Sequence, residues 1–213
     1  STLKTPIVVQ QTIQLPEPDQ KRFIKSPMNY IGGKYKLLPQ LFKLFPKEID
    51  TFVDLFAGGF NVTANINANR YICNDLNSRV VELVRFFSYA DETTILRRIE
   101  EKIEEYHLSK ENEEGFKAFR DYYNATQNPV DLFTLTCYSF NYQFRFNSKH
   151  EYNSSFGKNR SEYTVATEKK FIEFMDRLND IDISFGNEDF RDINLSDANE
   201  NDLVYFDPPY LIS

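Results

Sequence analysis

The chain has 213 residues, 41% hydrophobic and 27% charged, enough to bury a real core as one domain or as a domain with a sizeable insertion. No apolar run is long enough to cross a bilayer and no signal-peptide pattern opens the chain, so the expectation is a cytoplasmic protein with no membrane partner. A net charge of -7, taken alone, argues against nucleic acid as a partner.

The charge is uneven, however. Lys21, Arg22, Lys25, Lys34, Lys36, Lys43 and Lys47 make the start basic, and Arg145, Lys149, Lys158, Arg160, Lys169 and Lys170 form a second basic stretch. A local basic face on an acidic protein can still track phosphates. Cys73 and Cys137 stand in unlike contexts and read as buried thiols rather than a disulfide. Two histidines and two cysteines at no ligand spacing argue against a structural zinc site.

Residues 1–20 are polar, with Pro6, Pro16 and Pro18, and read as a tail or linker. Gly32-Gly33-Lys34 opens an amphipathic stretch with Leu37, Leu38, Leu41, Phe42 and Phe45 at helical spacing, and Pro39 fits its first turn. A buried strand is expected over 49–56, then Ala57-Gly58-Gly59 and a helical stretch to about Asn69. A second strand spans 70–74 and a helix 77–88. Residues 93–123 are helical and charged, with a break near 109–112. The apolar run 132–142 fits a helix, 144–161 a hairpin or loop, and 167–178 an amphipathic helix. Strands over 181–185 and 203–206 complete the order. That alternation describes an α/β protein: a doubly wound, Rossmann-like parallel sheet interrupted by a mostly helical insertion.

Chemistry gathers at the expected strand ends, where open α/β sheets bind ligands. Asp54-Leu55-Phe56-Ala57-Gly58-Gly59 runs from a strand into a glycine turn, which lets backbone approach a ligand; the alternative is a plain β-α turn. Asp75 ends the second strand, where an acid meets ribose hydroxyls in nucleotide folds, or else caps the next helix. Tyr30-Ile31-Gly32-Gly33-Lys34 joins an aromatic, a glycine turn and a cation, or is a basic surface turn. Asp189 and Phe190 follow the third strand; they suit an adenine amine and ring, or are a loop acid beside a core phenyl. Finally, Asp207-Pro208-Pro209-Tyr210 supplies a carboxylate, a stiff proline pair and an aromatic plate, a set that suits a flat base bearing an exocyclic amine.

Taken in order, these motifs resemble the Dam-like, D12 class DNA N6-adenine methyltransferases. The matching pieces are Tyr30 to Lys34, Asp54 to Gly59, Asn74-Asp75, Arg145-Phe146-Asn147 with Glu151-Tyr152-Asn153 and Phe156-Gly157, and Asp207 to Tyr210. The resemblance implies S-adenosylmethionine as methyl donor, contacted by Tyr30, Gly32, Gly33, Lys34, Asp54, Asp75 and Asp207, with Phe56, Ala57 and Gly58 beneath it. Asp189 and Phe190 would flank its adenine. The target adenine would be flipped onto Tyr210, its amine held by Asp207 and the Pro208 carbonyl beside Pro209. The transfer needs positioning and no metal.

The resemblance also implies a domain plan: a tail over 1–25, a cofactor-binding domain over 26–89 and 167–213, and a target-recognition domain over 90–166. Its hairpin would contact duplex DNA through Arg145, Phe146, Asn147, Lys149, Asn153 and Lys158, with Phe146 as the wedge. The alternative is a surface loop that packs Phe144 and Phe146 on the insertion core. Three departures stand out. Phe60 replaces the second turn glycine, which is expected only to shift the turn. Asn29 replaces a lysine and His150 the hairpin glycine, which points away from GATC as the recognised sequence.

Three further strands follow Asp-Pro-Pro-Tyr in such enzymes, so the strand at 203–206 is expected to have one bare edge. A fragment of a longer protein, a split enzyme completed by a second chain and a decayed gene are the open explanations, the intact core motifs favouring the first two; a complementing chain and a cognate restriction endonuclease are the implied partners. Methylation of RNA or protein, and a cofactor- or DNA-binding module without activity, are the competing readings.

Overall fold

The computed structural model describes residues 23–28 and 33–208, together with the backbone of Ile7–Gln10. Its sheet is wholly parallel. Strands β1 (Ile7–Gln10), β2 (Thr51–Asp54), β3 (Arg70–Asn74), β4 (Ile183–Gly186) and β5 (Leu203–Phe206) lie in the order β1-β5-β2-β3-β4. The helices are α1 (Leu38–Leu44), α2 (Asn61–Asn65), α3 (Ser78–Tyr89), α4 (Glu92–Glu105), α5 (Glu113–Thr126), α6 (Pro129–Tyr138) and α7 (Val165–Asn179). This is the α/β class with a parallel sheet that the alternation of patterns gave.

The chain divides into two compact units. One comprises Ser1–Ser26, Gly32–Val81 and Asp176–Ser213; the other comprises Pro27–Ile31 and Glu82–Met175. The divisions fall inside α3 and α7 rather than at residues 89 and 167.

In the first unit, β2 is central and all four of its residues are buried, as a strand sandwiched between two parallel neighbours demands. Phe52 sits between Tyr71 of β3 and Tyr205 of β5, with ring centroids at 6.2 and 6.4 Å. Pro39 lies in the first turn of α1, where its missing N–H costs nothing, and Leu38 and Leu41 turn inward. Arg177 near the end of α7 donates through Nε to the Ala64 carbonyl at 3.0 Å and through Nη2 to that of Ile66 at 2.9 Å, satisfying carbonyls that α2 leaves unpaired.

Two expectations change. Residues 7–10 belong to no tail: they form β1 and pair with β5 in register Ile7↔Leu203 to Gln10↔Phe206. The bare edge expected beside β5 is therefore occupied by this chain. The physical reason is an apolar, β-branched Ile-Val-Val triplet, too short to stand out among prolines but well suited to a ladder. The helical stretch after the glycine turn is only the five residues of α2, because the chain turns extended at Ile66.

The second unit is helical. Asp91, Asn112 and Asn128 cap α4, α5 and α6 through side-chain acceptors, and Pro129 opens α6. Arg98 of α4 forks onto Asp131 of α6 at 2.9 and 2.8 Å; Asp131 is fully buried, so that pair fixes the two helices where a lone charge would be costly. Phe87, Phe133 and Phe171 form the aromatic centre, with centroid distances of 4.5 to 5.8 Å.

Candidate functional site

Parallel strands end in step, so their last residues share one rim. Asp54 is level with Cys73 of β3 and Tyr205 of β5. Asp75 and Asp207 stand two residues beyond those partners. Three carboxylates thus meet where the chain order reverses about β2, at the switch point that open sheets use for ligands.

Asp207 is 5% exposed and receives two donors on the same oxygen. Lys34 Nζ lies 3.0 Å from Oδ2, and the Tyr205 hydroxyl donates to it at 2.9 Å. Burial, and then the Asp207 charge beside it, hold the Tyr205 phenol well above its ordinary range, so it remains a donor. Pro208 follows, half-buried. Gly33, Lys34, Asp54, Phe56, Ala57, Gly58, Asp75, Asp207 and Pro208 all belong to the first unit. Tyr30, Gly32, Pro209 and Tyr210 lie outside the described residues.

Asp75 closes the turn beneath the rim. Its Oδ2 accepts from Gly58 N and its Oδ1 from Asn77 N, each at 2.9 Å. Gly58 has φ 52°, which its missing side chain permits. Asn77, not Asp75, caps α3, accepting from Arg79 N at 3.1 Å. Phe60 itself adopts φ 66°, and its ring is fully buried, 5.9 Å from that of Phe185.

Asp54 is the least satisfied group. It is 1% exposed; Thr63 donates to Oδ2 at 3.3 Å, while Oδ1 has no hydrogen-bond partner among the described residues. Burial pushes its carboxyl up to about 8, with Asp75 and Asp207 adding to the shift while the Thr63 bond opposes it. The rim is therefore rich in carboxyl groups but low in net charge, since Asp54 keeps its proton up to about pH 8 and Lys34 offsets Asp207; what it offers a ligand is hydrogen-bonding oxygens.

Phe56, Phe190 and Phe206 form a half-buried aromatic triangle, each pair of centroids 5.2 Å apart, over Val53, Leu55 and Val204. Asp189 is occupied differently from the sequence expectation: Arg191 forks onto it at 2.8 and 2.6 Å and holds its carboxyl down at about 2. An adenine amine would have to compete with that guanidinium.

Sequence reasoning missed four contributors. Tyr205 was findable, because residues two apart on a strand share a face. Leu76, 59% exposed after Asp75, was findable as an apolar residue at a strand end. Thr63 and Asn187 left no signal: one bonds Asp54, the other donates to the carbonyls of Asp75 and Leu76 at 2.8 and 2.9 Å. Among the described residues no three His, Cys, Asp or Glu side chains converge on a metal-binding arrangement. A polar hollow of about 480 Å³ between Lys47, Asp50, Asn67 and Asn201 opens at the other ends of the strands, away from these acids.

The hairpin belongs to the second unit. Phe146 and Tyr152 bridge antiparallel, and their rings meet edge-to-face at 5.7 Å. Asn124 of α5 holds Tyr152 by both backbone groups, at 2.8 and 3.0 Å. Asn147 closes the tip: Oδ1 accepts from Lys149 N at 2.9 Å and Glu151 N at 3.0 Å, and Nδ2 donates to Glu151 at 3.1 Å. Arg145, Lys149, Asn153 and Lys158 are exposed, and Phe146 is half-buried. At the tip, His150 takes φ 59°.

Residues 30–213 match the family model described as D12 class N6 adenine-specific DNA methyltransferase. The Type II methyltransferase M.FokI of Planomicrobium okeanokoites is 54% identical over 191 residues, which is 90% of this chain and 30% of that protein. The modification methylase StsI of Streptococcus sanguinis is 48% identical over 91% of this chain and 30% of its own length. The DNA adenine methylase of Escherichia coli K12 is 27% identical over 86% and 64%. The chain thus spans about three-tenths of the length of the first two relatives.

Proposed function

The chain belongs to the family of D12 class N6 adenine-specific DNA methyltransferases, and from that premise we propose that it carries the cofactor and target-base machinery for methylating adenine N6 in duplex DNA. S-adenosylmethionine is the proposed donor; when bound, it supplies an electrophilic methyl group on a sulfonium. The carboxyl-lined rim at the ends of β2, β3 and β5 offers hydrogen-bonding oxygens to its amino and hydroxyl groups. The proposed contacts are Tyr30, Gly32, Gly33 and Lys34, then Asp54, Phe56, Ala57 and Gly58, then Asp75 and Phe190. Asp189 would join them on releasing Arg191.

Asp207 carries this reading. Lys34 and Tyr205 both approach one of its oxygens, Oδ2, so the carboxylate is oriented before any ligand arrives. We assign it to accept a hydrogen bond from the target amine, with the Pro208 carbonyl taking the second. Holding both N–H groups directs the nitrogen lone pair toward the methyl group, so orientation rather than proton abstraction lowers the barrier. Pro209 stiffens the turn and Tyr210 stacks on the flipped base.

Residues 90–166 are the proposed target-recognition domain, with Arg145, Phe146, Asn147, Lys149, Asn153 and Lys158 on its DNA-facing hairpin. Asn147 is already committed to the hairpin tip, so Phe146 and the exposed cations carry most of this contact. Lysine at 149 can reach guanine acceptors without the planar fork of arginine. M.FokI is a Type II methyltransferase by name, and a partner endonuclease whose sites this chain protects is part of the proposal.

Tritiated methyl transfer to an adenine-containing duplex tests the reading. Label is expected in duplex DNA at adenine N6, absent with pre-methylated duplex, and reduced at least 100-fold by Asp207→Ala. Transfer that ignores Asp207→Ala, or that prefers RNA or protein, would refute it.

A further inference from the structure

Residues 23–26 form no helix or strand, so their backbone groups need partners from elsewhere in the chain. Asn65 of α2 supplies them for Ile24. Its Oδ1 accepts from Ile24 N and its Nδ2 donates to the Ile24 carbonyl, both at 2.7 Å. One side-chain amide thus exchanges two bonds with one residue, as a facing residue does in an antiparallel pair. Nδ2 also donates to the Asn61 carbonyl at 2.7 Å, which commits both of its hydrogens. One turn earlier, Asn61 Oδ1 accepts from Ser26 N at 2.8 Å, and both of those residues are buried. Residues four apart share a helix face, so the two asparagines read the segment together.

The helix that carries them is five residues long, too short to hold its shape by its own propensity. It is fixed from outside. Arg177 takes the Ala64 carbonyl at its end, and Thr63 donates to Asp54. It also leaves directly from the glycine turn at 57–59, whose Gly58 N–H is held by Asp75. α2 is therefore the element on which residues 24–26 are registered against Asp54 and that turn.

Short contacts carry the same register to Lys34. The Phe23 carbonyl accepts from the Tyr35 hydroxyl at 3.4 Å, and Lys25 Nζ lies 5.3 Å from the centre of the Tyr35 ring. The Phe23 ring meets that of Phe42 in α1 at 5.2 Å. Tyr35 adjoins Lys34, whose Nζ lies 3.0 Å from Asp207. Apolar packing is non-directional and would let the segment slide along α2; paired amide bonds fix one position.

We propose that Asn61 and Asn65 are positioning residues for the cofactor site: they hold residues 24–26 in one register on α2 and so set Lys34 against Asp207. The proposal rests on the S-adenosylmethionine reading above.

Calorimetric titration with S-adenosylhomocysteine tests it on wild type, Asn65→Ala, Lys34→Ala and the double variant. Asn65→Ala is expected to bind about tenfold more weakly. Because it acts through Lys34, the double variant should bind within about twofold of Lys34→Ala alone. Asn61→Ala removes only the Ser26 bond, so a loss of about threefold is expected, again absent in the Lys34→Ala background. That variant carries the test should Asn65→Ala fail to fold. Losses that add in the double variants would make the asparagines residues of the fold alone and overturn the proposal, as would unchanged binding by the single asparagine variants; either result leaves the cofactor reading standing. A wild type that binds no S-adenosylhomocysteine would overturn both.

Discussion

The turn after β2 and the tip of the hairpin bend through non-glycine residues with nearly the same φ, Phe60 at 66° and His150 at 59°. They sit where the family pattern has glycines, yet they treat the side chain in opposite ways. Phe60 has no exposed surface and packs on Phe185. His150 is exposed beside a tip tied by Asn147. In the first region, burying a phenyl offsets the strain; in the second, local hydrogen bonds hold a strained residue whose side chain is exposed. The same dihedral is therefore an investment in the core at one site and an uncompensated cost at the other.

Substitution to glycine should separate the two. Phe60→Gly relieves about 1–2 kcal/mol of left-handed strain but forfeits a buried phenyl worth about 3–5, so a net loss near 2–3 kcal/mol is expected in urea unfolding. Phe60→Ala should cost more, since it keeps the strain. Equal losses in the two variants would mean the backbone is unstrained there.

Asp54 sharpens the contrast by putting a second unfavourable group in the same buried region. Its folded carboxyl, at about 8, lies above its ordinary value of 3.8. Between those values the folded protein holds a proton that the unfolded chain has released. Stability present at low pH is therefore lost as pH rises through that window. Asp54→Asn should flatten this slope and raise the melting temperature at pH 8, by about 2–4 °C for each kcal/mol recovered. Parallel melting curves for both proteins from pH 5 to 9 would contradict it.

Asn147→Ala should loosen only the hairpin, costing about 1 kcal/mol and speeding amide exchange over 145–153 while exchange in β2 stays unchanged. The smallest effect belongs to His150→Gly, a gain of about 0.5–1 kcal/mol from relieved strain less added chain entropy. A loss there would show that the imidazole makes a contact worth keeping.

Much of this was legible in the residues. The bounds of β3 and β5 matched, since β-branched and aromatic runs end at Asn74 and Phe206. The break between α4 and α5 showed through Ser109 and Asn112. What stayed hidden depends on partners distant in sequence. Ile7–Gln10 becomes a strand only because Leu203–Phe206 offers a ladder. Asp189 looked available because its engagement by Arg191 is a matter of rotamer, not of pattern. Asn147 resembled a base contact, and only the folded tip shows its amide already in use.

The ladder between β1 and β5 carries a practical consequence for anyone handling this protein. Val9 is level with Tyr205, whose hydroxyl orients Asp207. Ile7 is level with Leu203, so a purification tag fused just ahead of it emerges at the strand starts, the rim opposite Asp54, Asp75 and Asp207, and it can disturb those acids only by prising β1 off β5.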